Sequence, residues 1–170
     1  MFSSTSTDNP TSPRDEQRQD LTADLLQKFS EHLSPDDKAR VERHLNMQDN
    51  ELQKQWYLHR NISGLIKAAG ESKQETEIRR ATNKALGYLS TYEKIIDINF
   101  TERSDKRTLL HTACYFNNLT VVRFILLFYR AAQIDLEDKY GQTPLDLAVE
   151  RQHGEIIETF EAFKVVTCTL

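Results

Sequence analysis

Cysteine is nearly absent from this chain: there are two, Cys114 and Cys168. Two thiols form at most one bridge, so a disulfide-stapled fold is excluded and the core must come from apolar packing. Long apolar runs are missing as well. The most apolar window, Leu119 to Tyr129, is interrupted by Arg123 and falls short of the ~18 residues a membrane span needs. The opening MFSSTSTDNPTSPRDEQ has no apolar stretch of the kind a secretory signal carries. These absences point to an intracellular, cytoplasmic protein with reduced thiols. There is no basic surplus either. The formal net charge is -4, and nucleic-acid binders usually show a basic stripe. The densest basic cluster, Arg79-Arg80 with Lys84, reads as a solvated helix face. No glycine-rich phosphate loop of either common spacing occurs.

What is present is helical periodicity. Residues 1–18 are rich in Ser and Thr, with almost no apolar side chain beyond Phe2, and read as a disordered tail. From Leu21 the spacing of Leu21, Leu25, Leu26, Phe29 and Leu33 predicts a helix with one apolar face. Ser34-Pro35-Asp36-Asp37 is a strong helix start, because serine caps, proline suits the first turn and carboxylates favour the positive end of the dipole. A second helix is predicted over about 35–47. A third over about 50–69 turns Leu52, Trp56, Ile62, Leu65, Ile66 and Ala69 inward and ends at Gly70. A fourth over about 74–93 uses Ile78, Ala81, Ala85, Leu89 and Tyr92. Residues 19–97 thus form a helical region with no strand pattern.

The remainder writes one unit twice. Thr108 to Val122 reads TLLHTACYFNNLTVV, and Thr143 to Ile157 reads TPLDLAVERQHGEII. Thr108 and Thr143 stand where a hydroxyl caps a helix, Pro144 suits the first helical position, and Ala113 and Ala148 allow close helix approach. Asn117-Asn118 and His153-Gly154 break the chain before a second helix, since Asn and Gly tolerate positive φ. The second helix of the later unit sets Ile156, Ile157, Phe160 and Phe163 against Glu155, Glu158 and Glu161, the pattern of a terminal cap.

These residues resemble the ankyrin repeat, which runs through T-P-L-H-x-A at a period near 33. Thr143-Pro144-Leu145-Asp146-Leu147-Ala148 departs from it in carrying Asp146 for His. Thr108-Leu109-Leu110-His111-Thr112-Ala113 departs in carrying Leu109 for Pro. Asp138-Lys139-Tyr140-Gly141 matches the family's D-x-x-G finger, whereas the first finger has Lys106 where Gly is usual. The resemblance implies an all-α fold. It would be a short ankyrin-type solenoid over 98–170, closed on its N-terminal side by helices of 19–97 acting as a cap or a degenerate repeat. It also implies a protein partner held by the finger tips and the inner helix face. On the matched positions these are Ser104, Asp105, Arg107, Tyr115 and Phe116 in the first unit. In the second they are Lys139, Tyr140, Gln142, Glu150 and Arg151. An alternative reading has Tyr115 and Phe116 packing against the next unit.

No chemistry competes with that reading. His111 and Cys114 have metal-reaching spacing, but a site needs three or four ligands and no others match. In the resembling repeats this His bonds within its own turn, and Cys114 falls at a small, buried position where a thiol is inert. Glu71, Glu75 and Glu77 read as a solvated face. Cys168 is misplaced for prenylation. The expectation is therefore a non-enzymatic interaction module with no cofactor, no metal, no nucleic-acid partner and no membrane span. The second reading is a helical oligomerisation or effector module in residues 19–93, including a secreted, host-directed effector, with the repeats stabilising it.

Overall fold

The computed structural model describes residues 13–168, with side chains described over 22–165. Eight helices make up the described residues: α1 Pro13–Ser30, α2 Pro35–Asn46, α3 Glu51–Glu71, α4 Glu75–Thr91, α5 Leu109–Tyr115, α6 Leu119–Phe128, α7 Pro144–Glu150 and α8 Gly154–Cys168. Among the described residues there is no strand, as the all-α expectation requires.

The caps follow from the residue types. Ser34 accepts from the Asp37 N–H at 3.1 Å, and Asn50 accepts from the Leu52 N–H at 2.8 Å. Thr108 and Thr143 each cap a seven-residue helix in a reciprocal box with the residue three further on. Helix α1 begins at Pro13, inside the stretch read from sequence as a tail. Proline's fixed φ suits a first turn, and Asp15 and Glu16 follow at the end where negative charge is favoured. Residues 1–12, the rest of that expected tail, lie outside the described residues.

Consecutive helix pairs stack. The first helices of the pairs pack in series, α3 on α5 and α5 on α7. The second helices do the same, α4 on α6 and α6 on α8. The α3–α4 pair is therefore the first unit of the stack, and three units share one core. Helix α6 is wrapped from several sides, by α4, α5 and α8. Phe29 of α1 also adds edge-on ring contacts to Phe124 at 5.2 Å and Phe128 at 6.4 Å. That cover explains how a helix apolar nearly all round buries Val121, Val122, Phe124, Ile125 and Leu126. Helix α8 closes the other end, with Ile156 and Phe160 fully buried and Glu155, Glu158 and Glu161 exposed.

Polar side chains lock the units together. Asn118 donates to the Thr82 hydroxyl at 3.1 Å, and the Tyr129 hydroxyl donates to the Leu89 carbonyl at 2.7 Å. The connection between α6 and the second finger is held by Asn99. Its amide donates to the Ala131 carbonyl and its oxygen accepts from the Gln133 N–H, each at 2.8 Å.

Several expectations from periodicity need correction. Leu25, Leu52 and Trp56 are exposed, at 45%, 49% and 42%. Ile62, Ile66 and Ala69 of the expected α3 stripe are buried and Leu65 is half-buried, with Leu58 and His59 completing the stripe in place of Leu52 and Trp56. In α7 Leu147 is fully buried, and Leu145 is half-buried and packed against the core. The positive φ after α5 falls at Asn117 (55°), as expected, but after α7 it falls at Gln152 (60°) rather than at His153-Gly154, and Gly154 already opens α8.

Gly70 does not end α3, which runs on to Glu71. A Cβ at Gly70 would lie 2.6 Å from the Phe116 Cβ and 2.9 Å from the Phe116 carbonyl oxygen. The glycine is there for close approach of α3 to the next unit. Gly70→Ala is expected to cost about 1–3 kcal/mol through overpacking. Gly64, with nothing within 4 Å of such a Cβ, gives the opposite sign: Gly64→Ala should gain up to about 1 kcal/mol from helix propensity. Urea midpoints of the two variants check the contrast.

Candidate functional site

The inner face is built from the ends of α5 and α7 and the two fingers that precede them. The fingers are joined backbone to backbone, the Lys139 N–H donating to the Asp105 carbonyl at 2.7 Å. Lys106 adopts φ 56° at the place where the second finger has Gly141 at φ 75°. The first finger thus keeps the turn without its glycine, at the steric cost a Cβ carries in that region.

Asp138 organises the second finger. One carboxylate oxygen accepts from the Tyr140 N–H at 2.8 Å and the Gln142 N–H at 3.1 Å, and the other accepts from Arg107 Nε at 3.0 Å. Burial works against its charge. The two backbone donors and the Arg107 guanidinium outweigh that cost and hold the carboxyl below the usual carboxylate range. His111 makes the parallel link. Its Nδ1 accepts from the Thr108 N–H at 3.2 Å, which leaves Nε2 protonated to donate to the Gln142 carbonyl at 3.1 Å. Both nitrogens are engaged and burial lowers its pKa, while burial pushes the Cys114 thiol up. Neither group is placed for metal binding or nucleophilic attack. Asp146 keeps only the local half of the motif, accepting from the Thr143 N–H and hydroxyl at 2.8 and 2.7 Å.

Tyr115 lies at the centre of the face, half-buried. The Arg107 guanidinium sits 4.9 Å from its ring centroid and that of Arg151 3.4 Å, so two cations flank one aromatic ring. Phe116 meets Tyr115 edge-on at 4.9 Å and presses against Gly70 on its other side. Phe116 thus packs on the preceding unit rather than the next one, and Tyr115 meets the next unit through Arg151 while keeping part of its surface in solvent. Gln142 donates to Glu150 at 2.7 Å. Ser104, Lys139, Glu150 and Arg151 are exposed, and Tyr140 at the finger tip is 69% exposed.

Of the residues singled out in the sequence, the structure brings Arg107, Tyr115, Phe116, Gln142, Glu150 and Arg151 together and leaves Ser104, Lys139 and Tyr140 along the finger edge. Sequence reasoning missed Asp138, whose only signal was the D-x-x-G turn. It also missed His59, which faces the Phe100 ring with centroids 5.5 Å apart.

Among the described residues no group of His, Cys, Asp and Glu is placed to hold a metal, and no helix is long and apolar enough to cross a membrane. A family model described as ankyrin repeats (3 copies) matches residues 65–161, beginning within α3 and ending within α8. The chain is 30% identical over 100 residues to the transient receptor potential cation channel subfamily A member 1 homolog of Caenorhabditis elegans, 58% of this chain and 8% of that protein. It is 33% identical over 67 residues, or 39% of its length, to alpha-latrotoxin-Lt1a of Latrodectus tredecimguttatus, covering 5% of the toxin. It is 31% identical over 67 residues to alpha-latrotoxin-Lhe1a of Latrodectus hesperus, 39% of this chain and 5% of that toxin. The chain therefore spans well under a tenth of each relative's own length. Ankyrin repeats generally mediate protein–protein interaction and are typically non-catalytic. With three stacked helix pairs, two reciprocal Thr caps and a family match over more than half of its residues, this chain belongs to the ankyrin repeat family.

Proposed function

We propose that the protein is an adaptor or scaffold module that grips a protein partner on its inner face, with Tyr115 and the finger edge making the contact. The observation that supports this most is the half-exposed Tyr115 ring held between Arg107 and Arg151. Stiffly held aromatics flanked by arginine are the side chains that dominate interface energetics, because they bury much area at little ordering cost. Arg107 is fixed by Asp138, so the platform is set before a partner arrives. Arg151 offers its guanidinium edge to a carboxylate or carbonyl of the partner. Ser104, Asp105, Lys139, Tyr140, Gln142 and Glu150 supply the polar rim.

The test uses a partner captured from a lysate of the source cell, followed by titration. Tyr140→Ala is expected to leave the melting temperature unchanged and to weaken binding by about 1–3 kcal/mol. Tyr115→Ala should lower both affinity and stability, since its ring also packs between units. Equal affinity for wild type and both variants would sink the inner-face reading.

A further inference from the structure

The first unit of the stack carries a second feature, away from the inner face. Between α2, α3 and α4 lies an open groove of about 430 Å³, whose lining includes Arg40, Trp56, Arg60, Gly64, Leu65 and Lys84. This is not the side of α3 that meets α5: His59 and Gly70 point to Phe100 and Phe116. Trp56, Arg60 and Gly64 follow one another at single turns along the groove. The lining is basic and aromatic. Arg40 and Lys84 share Asp37, and Arg60 lies over the Trp56 ring at 5.0 Å. No carboxylate is among the residues that line it, so three cations against one neighbouring aspartate leave it positive. Gly64, open on its Cβ side, keeps the floor of the groove clear.

At the far end of the stack, α8 presents the complementary surface. Glu155, Glu158 and Glu161 are exposed along it, with Val165 66% exposed one turn beyond Glu161. Acidic side chains next to an aliphatic one are what a groove of arginine, lysine and tryptophan accepts. The groove belongs to the first helix pair and α8 to the last, with the α5–α6 pair between them, so one copy cannot satisfy itself. We propose that the groove receives the acidic face of α8 from a second copy of this chain, so that copies add head to tail. The contact joins two different surfaces, which makes it heterologous and open-ended. It is small and largely electrostatic, so association is weak, in roughly the 10–1,000 µM range, and salt-sensitive.

Sedimentation velocity on the full chain tests it. The mean mass of wild type is expected to rise with concentration at about 0.05 M salt and to return to monomer at about 0.5 M, where the Debye length is far shorter. Arg60→Glu and Glu158→Arg each lie on exposed positions and should each be monomeric with unchanged melts. An equimolar mixture of the two should associate beyond dimers, because the native groove of one accepts the native α8 of the other and the two reversed ends match each other in turn. The double variant should associate again. Trp56 is the single tryptophan of the chain, so its emission should shift in step with association. A wild type that stays monomeric at about 1 mM, a mixture that stays monomeric, or association untouched by both charge reversals overturns the proposal. A monomeric chain whose Trp56 emission moves with a Glu/Leu peptide overturns it too, in favour of an acidic segment of another protein. If emission moves instead with a single-stranded oligonucleotide, the proposal falls to a nucleic-acid ligand. Inner-face binding measured with Tyr140→Ala is independent of every one of these outcomes.

Discussion

A chain cut to residues 98–170 is expected to lose its cooperative melt, although it keeps both units that look alike in sequence. The cut removes α3, which packs on α5, and α4 and α1, which cover α6. It strands Asn118 without Thr82 and the Tyr129 hydroxyl without the Leu89 carbonyl, both buried hydrogen bonds. Each lost hydrogen bond forfeits about 0.5–1.5 kcal/mol, since the stranded group then turns to water. Phe124 and Phe128 lose the Phe29 ring, and Phe116 loses the close-packed Gly70. Together these losses are comparable with the whole stability of a small domain, about 5–15 kcal/mol. A stack of two units also buries too little surface to stand alone, since repeats of this kind are stabilised by their neighbours. Circular dichroism on heating checks it. A sharp melt from the fragment would show that α5–α8 hold a sufficient core and that the first pair is accessory.

Acidification to pH 5 is expected to remove about 2 kcal/mol of stability relative to pH 7, chiefly through His59. This side chain is 5% exposed, and its Nε2 has no hydrogen-bond partner. Burial lowers its pKa from 6.5 to about 4, opposed by the Asp105 charge and the Arg107 carbonyl. A histidine depressed in the folded state binds its proton more readily when unfolded. Its stabilising contribution is complete above pH 6.5 and declines as pH falls toward 4. Over the full window the loss approaches about 3 kcal/mol at 1.36 kcal/mol per unit. His111, also lowered by burial, acts in the same direction. The carboxylates held below their usual range, Asp37, Asp138 and Asp146, give up their contributions only at lower pH. Urea titrations at pH 7 and pH 5 on wild type and His59→Gln check the claim. The variant should keep only the smaller slope due to His111. An equally steep loss in the variant would assign the acid sensitivity elsewhere.

The sequence by itself determined the helices, their caps and the repeat. Those signals are local: a threonine three residues before a group that returns its bond, a proline at a first turn, an apolar period of 3.6. Thr108, Thr143, Ser34 and the acidic outer face of α8 needed no tertiary information. The D-x-x-G turn was legible for the same reason, since the Asp138 carboxylate closes it within four residues. What periodicity could not decide was which side of a two-faced helix meets a neighbour. Leu52 and Trp56 share a face with inward residues on a helical wheel, yet α2 covers only part of α3, and Trp56 is left at the rim of a groove. Gly70 carried the mark of a helix stop, because a glycine needed for close approach and one needed for a turn are the same letter. The membership of α3–α4 in the stack was hidden likewise. This pair lacks the Thr-capped signature and is recruited by what it touches: Phe116 through Gly70, Asn118 through Thr82 and Tyr129 through Leu89. Tyr115 was named from its position at the end of a short helix, but its two arginines come from residues 8 before it and 36 after it. Contacts across units depend on where a finished stack sets its elements, and only the packed structure holds that information.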